Sequence, residues 1–204
     1  MPIQTFASSP VDNMKDQLPK FELKGNQILD LCSIQIPGER IILTSITDQY
    51  AADIFKHFTT EVTRYMIPSP ADDILETKAF ISQSILGMKE GRDIVLIITH
   101  SETGEFLGCC GLHGKSGIKT PELGIWLKQP AHGHHYGLEA IRVLVEWSFC
   151  NLYLDYLIYP VDRANRASRN IPETLGGRVF LEKKVRQMSG SYLDELCYKL
   201  LPPD

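Results

Sequence analysis

Residues 132–137, His-Gly-His-His-Tyr-Gly, place three histidines and two glycines in six positions. Three readings fit that composition. Imidazole is the commonest metal ligand, so His132, His134 and His135 raise a metal site. A zinc site also draws on paired cysteines, an acidic ligand or histidines one helical turn apart, and this stretch has none of them. Histidines that are simply solvated are the second reading. The third is a loop that wraps an anion. The flanks favour the third: a strand-like run, "ELGIWLK" (122–128), leads in, and an amphipathic run, "YGLEAIRVLVEWSF" (136–149), leads out. The first turn of a helix has N–H groups with no intrahelical acceptor, and its dipole adds positive potential there. A pyrophosphate fits such a place without a basic side chain. Gly133 and Gly137 would let the backbone approach it closely. No metal is expected.

Several elements must position that loop. In the outgoing helix, Leu138, Ile141, Leu144, Val145, Ser148 and Phe149 recur at helical spacing and form the expected buried stripe. Glu139, Arg142 and Glu146 are assigned to the outer face. Upstream, "RIILTSI" (40–46) reads as a strand, with Thr47 or Asp48 able to cap the helix that follows. A second helix is expected from about Asp72 to Met88. "DIVLIITH" (93–100) and "FLGCCGLHG" (106–114) read as a hairpin across the turn "SETGE". Downstream come a strand at 154–161, a short helix in "NRASRNIPETLGG" (165–177) closed by glycines, and a last hairpin. Near the start, "FELKGNQILDLCSI" has hairpin character around Gly25-Asn26. The pattern predicts an α/β (α+β) domain with a mixed, mostly antiparallel central sheet flanked by helices. It spans 36–204 behind a partly irregular extension, 1–35.

Composition sets outer limits. With 204 residues and 43% hydrophobic content, one domain with a sizeable core is expected. A net charge of −4 favours neither nucleic acid nor an anionic membrane. No apolar run reaches the length of a membrane span, and the first residues lack a secretory leader's apolar core. The cysteines, Cys32, Cys109, Cys110, Cys150 and Cys197, are odd in number and lack metal-type pairing. Reduced thiols in a cytoplasmic protein are the expectation, most of them as core fillers.

These segments together resemble the GNAT superfamily of acetyl-CoA-dependent N-acetyltransferases, and most of all its Rim-type branch, which acts on ribosomal-protein N-termini and small amines. "ERIILTSITDQYAADIF" is similar to that branch's opening strand and helix. "EVTRYM" is similar to its first substrate-side segment, and "GEFLGCCGLHG" with "PELGIWLKQPAHGHHYGLEAI" to its central strands and coenzyme loop. "YPVDRANRASRNIPETLGG" is similar to its second signature, an Asn-x-x-Ser element before a short helix. At the three loop positions usually filled by Gln or Arg, Gly, and Gly or Ala stand His132, His135 and Gly137, and only the last conforms. Pro172 inside the short helix is a further departure, tolerable if that helix begins near Ser168.

The resemblance implies acetyl transfer to a primary amine, of a protein N-terminus or a small molecule, by direct attack in a ternary complex. It implies acetyl-CoA as co-substrate and no metal. Backbone groups at Ile125, Trp126 and Leu127 would pair with the pantetheine arm. Residues His132, Gly133, His134, His135, Tyr136 and Gly137 would hold the pyrophosphate, and Asn165 would bond the arm or cap its helix. Ser168 is the candidate general acid, with Tyr159 as a substitute. For the base, His113 and Glu122 are the choices, His113 having the ordinary pKa nearer neutrality. The segment 61–90 is expected on the acceptor side, its Asp72, Asp73 and Glu76 either attracting a cation or serving the helix start. The departures in the loop leave a second reading, an acyl-CoA-binding module of this fold with little or no catalysis. A monomer or homodimer is expected.

Overall fold

The computed structural model describes residues 19–25 and 29–203. Eight strands form one sheet: β1 (Gln35–Pro37), β2 (Ile41–Ser45), β3 (Asp93–His100), β4 (Phe106–His113), β5 (Glu122–Leu127), β6 (Leu157–Asp162), β7 (Arg178–Arg186) and β8 (Tyr192–Leu200). Five α-helices accompany them: α1 (Ala51–His57), α2 (Thr60–Thr63), α3 (Ile74–Lys89), α4 (Tyr136–Asn151) and α5 (Arg166–Thr174). The spatial order of the strands is β1-β2-β3-β4-β5-β6-β8-β7. Every neighbouring pair is antiparallel except β5 and β6, which are parallel. The sheet is therefore mixed and mostly antiparallel, with helices on both faces, as the pattern predicts.

Hydrophobic alternation decides which face each helix covers. Ile94, Leu96, Ile98 and Leu112 are fully buried and point to the face where α4 packs, since alternate strand residues share a face. Asp93, Val95, Cys109, Gly111 and His113 point the other way, towards α3. Burial on both faces explains why β3 is an unbroken apolar run rather than an alternating one.

The parallel pair is the exception that makes room. β5 and β6 share a single paired position, Glu122 with Ile158. Beyond it no further β5–β6 pairing is made, and the sheet is open between the two strands. On the other side of β5, Gly108 lets β4 approach closely: a Cβ there would lie 2.1 Å from the Trp126 carbonyl oxygen. The β3–β4 register slips at that level, between Ile98 and Thr99, so the sheet bends where β5 turns away.

Several expectations need correction. The turn of the hairpin expected at Gly25-Asn26 lies in part outside the described residues; before it, Leu23 makes an isolated antiparallel bridge with Leu152 at the end of α4. The described part of the extension is mostly irregular, and it contributes Phe21, Leu31 and Ile34 to the core. β1 was not anticipated, because a three-residue edge strand ending in proline carries almost no periodic signal. Thr47 makes no side-chain cap. Helix α5 begins at Arg166, two residues earlier than Pro172 would prefer, so the proline sits inside it and removes the bond to the Ser168 carbonyl. Asp73 caps α3 by accepting from the Leu75 N–H at 2.8 Å, and Glu76 accepts from the Asp72 N–H; this acidic cluster serves the helix start.

Candidate active site

The opening between β5 and β6 holds two adjoining cavities. The larger, about 590 Å³, runs from β5 across the loop to α5. Ile125, Trp126 and Leu127 form one wall. His132, Gly133, His135, Tyr136 and Gly137 form the end, and Asn165 and Ser168 the opposite wall. His134 is the one loop residue outside it. Its ring stacks on Tyr136, 5.6 Å between centroids.

The loop is built by backbone turns. Gly133 (φ 81°) and His135 (φ 62°) are both left-handed, and His135 is the sole non-glycine with positive φ among the described residues. His135 is the N-cap of α4 and makes no side-chain cap bond. The amides of Tyr136, Gly137 and Leu138 form the first turn and have no intrahelical acceptor. His132 Nε2 donates to the Leu127 carbonyl oxygen at 2.9 Å, which ties the loop to the end of β5. Gly137 is needed for packing: a Cβ there would press on Ile171 and Leu127. Arg166 supplies the one basic side chain of the lining.

A clamp behind the loop was missed from sequence. The Arg40 backbone N–H donates to Glu139 Oε1 at 2.7 Å, and its guanidinium bonds Glu139 Oε2 at 2.9–3.0 Å. Arg40 Nη1 donates to the His134 carbonyl oxygen at 3.1 Å, and the guanidinium lies over the Tyr136 ring. Glu139 is therefore not an outer-face residue; only 12% of its side chain is exposed. Leu138 is half-buried and lines the cavity. Arg40 and Glu139 are 99 positions apart, and no local spacing signals such a pair.

The smaller cavity, about 320 Å³, lies on the α3 face. His113, Glu122 and Glu195 are among its titratable groups, and Phe58, Phe80 and Trp126 are among its apolar walls. Both cavities share Met66, Ile125, Trp126, Asn165 and Ser168, so they adjoin along a wall that includes Ser168. Tyr159 and Ser168 hydroxyls are 2.9 Å apart. Burial pushes the Tyr159 phenol well up, so it stays protonated. The Asn165 side chain accepts from the Ser168 N–H at 3.1 Å and caps α5, leaving its amide nitrogen for a ligand. Trp126 packs between Phe58 and Phe106 as wall. Glu122 accepts from Ser116 Oγ at 2.7 Å. Glu195 is buried and its Oε2 accepts no hydrogen bond, though Lys183 Nζ stands 3.3 Å away. Burial pushes its carboxyl up, with Lys183 opposing. Cys109 and Cys110 also reach this cavity, and burial holds both as thiols, so neither is poised as a nucleophile. Among the described residues no group of three or more His, Cys, Asp or Glu could hold a metal ion.

The sheet opened between two parallel strands thus has a free helix start at one end of its cleft and acid–base groups at the other, an arrangement that fits an acyltransferase. The chain belongs to the GNAT acetyltransferase family: residues 40–178 match the family model for the acetyltransferase (GNAT) domain. No curated protein sequence matches it. Among solved structures it is similar to Mycobacterium smegmatis RimJ in complex with CoA-disulfide, at 16% identity and TM-score 0.76, covering 85% of this chain and 90% of that one. It is also similar to an acetyltransferase from Salmonella typhimurium that modifies the N-terminal serine of a 50S ribosomal subunit protein, at 14% identity and TM-score 0.72, covering 83% and 100%. A third is MccE, a microcin self-immunity acetyltransferase in complex with acetyl-CoA and AMP, at 18% identity and TM-score 0.71, covering 80% and 93%. At these identities the likeness is one of fold.

Proposed function

We propose that the protein transfers an acetyl group from acetyl-CoA to a primary amine by direct attack, and that it sits in the Rim-type branch of its family with residues 36–204 as the catalytic unit. The observation that carries this is that the two cavities adjoin along a wall that includes Ser168. A long coenzyme arm lying along Ile125–Leu127 would bring its thioester to the same point that an amine reaches from the smaller cavity. Gly133, His135, Tyr136 and Gly137 would hold the pyrophosphate against the free amides of α4, and Arg166 faces the same space. His134 acts only through its backbone, which Arg40 holds. His113 or Glu122 would take the proton of the attacking amine. Ser168, backed by the buried Tyr159 phenol, would give one to the departing sulfur. The carboxylates of Glu122 and Glu195 give the smaller cavity a negative potential that suits an amine. The acceptor is an amine of a protein N-terminus or of a small molecule. The free thiols fit a reducing cytoplasm, and among the described residues no helix is long and apolar enough to cross a membrane.

The test is a thermal melt with acetyl-CoA, followed by an amine screen read by release of free thiol. Acetyl-CoA should raise the Tm, because a ligand that binds only the folded state stabilises it by mass action, and zinc should give no comparable saturable rise. Thiol release should then depend on one class of amine. A Tm rise without thiol release from any amine would mark a coenzyme-binding module. No response to acetyl-CoA, with a zinc response lost in His132→Ala, would reject the reading outright.

A further inference from the structure

We propose that Asp93 is a positioning residue that holds the His113 imidazole with Nε2 towards the reacting groups, which makes His113, rather than Glu122, the base of the site. The inference rests on the acetyltransferase reading above and deepens it.

The argument begins with register. Asp93 of β3 pairs with His113 of β4, and His113 pairs with Glu122 of β5. Directly paired residues point to the same face. Three adjacent strands therefore place an aspartate, a histidine and a glutamate in one row across the sheet, on the face of the smaller cavity. Within the row the contacts are unequal. Asp93 Oδ1 lies 3.3 Å from His113 Nδ1. The other carboxylate oxygen is walled by α3: a Cβ built on Gly87 would lie 2.5 Å from Asp93 Oδ2. The carboxylate is thus held between a helix backbone and the ring. On the far side of the ring, a Cβ on Gly124 would lie 3.3 Å from His113 Nε2. The ring leans over Gly124, the residue before Ile125; His113 lines the smaller cavity, and with Nδ1 turned to Asp93, Nε2 is the ring nitrogen left to face it.

A carboxylate accepts only, so Nδ1 carries the hydrogen of a neutral His113 and Nε2 keeps its lone pair. That is the tautomer a base needs. Glu122 is held differently. It accepts from Ser116 in the 3-10 turn after β4, a contact that draws it towards the surface turn. In the reaction the amine nitrogen bonds to the thioester carbonyl carbon and its proton passes to Nε2. The C–S bond breaks, its electron pair leaves on sulfur, and the sulfur takes a proton from the Ser168–Tyr159 pair. Solvent restores that proton and accepts the one on His113. Asp93 touches no reacting atom; its role is to select the tautomer and to face the imidazolium that forms.

The test combines a spectrum with kinetics. Nitrogen-15 spectra of the His113 ring are recorded at mildly alkaline pH, where an imidazole is neutral. The wild-type ring should be the Nδ1–H form. Asp93→Asn should lose that preference, because an amide presents either a donor or an acceptor. Gly87→Ala should lose it too, since its methyl displaces the carboxylate without changing any charge. Both variants should lower kcat about 10–100-fold with KM for acetyl-CoA within about twofold, and Asp93→Glu should recover part of the loss. A wild-type ring already in the Nε2–H form, or a spectrum unmoved by Asp93→Asn, overturns the proposal. Failure modes separate cleanly. If His113→Ala lowers kcat by about 10²–10⁴-fold while Asp93→Asn does not change it, Asp93 alone is misassigned. If His113→Ala leaves kcat intact, the base is elsewhere and acetyl transfer stands. If no amine is acetylated at all, the function reading fails, and the spectrum still reports on Asp93.

Discussion

His135 sits left-handed at the start of α4 with no bond from its side chain to repay the conformation. A left-handed L-residue costs about 1–2 kcal/mol. Glycine would remove that cost while adding about 0.5–1 kcal/mol of unfolded-chain freedom. His135→Gly should therefore be neutral to stabilising, by up to about 1 kcal/mol, which for a chain of this length raises the Tm by about 2–4 °C. Thermal melts with and without acetyl-CoA check this, and the ligand-induced rise should be kept. A fall in Tm would mean that the ring makes contacts worth more than the strain. The residue identities of this loop were legible in the sequence, but the sign of this effect was not. Inside a helix a glycine at 135 would destabilise; at a left-handed N-cap it does the reverse.

At the scale of elements, α4 depends on the turn before β2 as much as on its own first residues. Arg40 joins that turn to Glu139, Tyr136 and the His134 carbonyl. Its guanidinium is 45% exposed, so the ion pair itself adds little to stability, about 0.2–1 kcal/mol. Its larger effect is on loop position. Arg40→Ala should raise KM for acetyl-CoA about 3–10-fold, on the order of 1 kcal/mol of lost alignment, with kcat nearly unchanged. Steady-state kinetics at fixed amine checks it; a drop in kcat at constant KM would place Arg40 in the chemistry instead. Most elements here were legible because apolar period separates strands from helices, as for β3 and α4. The short ones were not. β1 has three residues, and the segment with Leu23 pairs with the distant Leu152, so local pattern carries neither.

Over the whole molecule most charge is spread through exposed pairs, but among the described residues Lys128, Asp162 and Glu195 are buried, and Glu195 faces Lys183. Burial raises its folded pKa above the ordinary Glu value of about 4.3. Between those two values the folded state binds more protons than the unfolded one, so stability falls as pH rises through that window. Below it both states are protonated, and above it both are ionised, so the contribution is then constant. Glu195→Gln removes this slope. The wild-type stability minus that of Glu195→Gln, from urea midpoints across acidic pH, should decline through the window and level off above it. A difference that rises with pH would show that Lys183 outweighs burial.

The sequence by itself determined the class of this protein. Hydrophobic period laid out β3, β4, β5, α4 and the final hairpin. The loop at 132–137, between strand and helix, with the Asn-x-x-Ser element at 165–168 further on, identified the family. These are local signals, carried by residues within a few turns of one another. Only the tertiary structure decided which side chains meet. It excluded His134 from the cavity, turned His135 left-handed, set Ser168 against Tyr159, and aligned Asp93, His113 and Glu122 across three strands. It also brought Arg40 onto Glu139. The physical reason is that a site is assembled by strand register and helix packing. Both follow from the burial of apolar faces far from the site, and a shift of one residue in the register of β3, β4 or β5 would send Asp93, His113 or Glu122 to the opposite face.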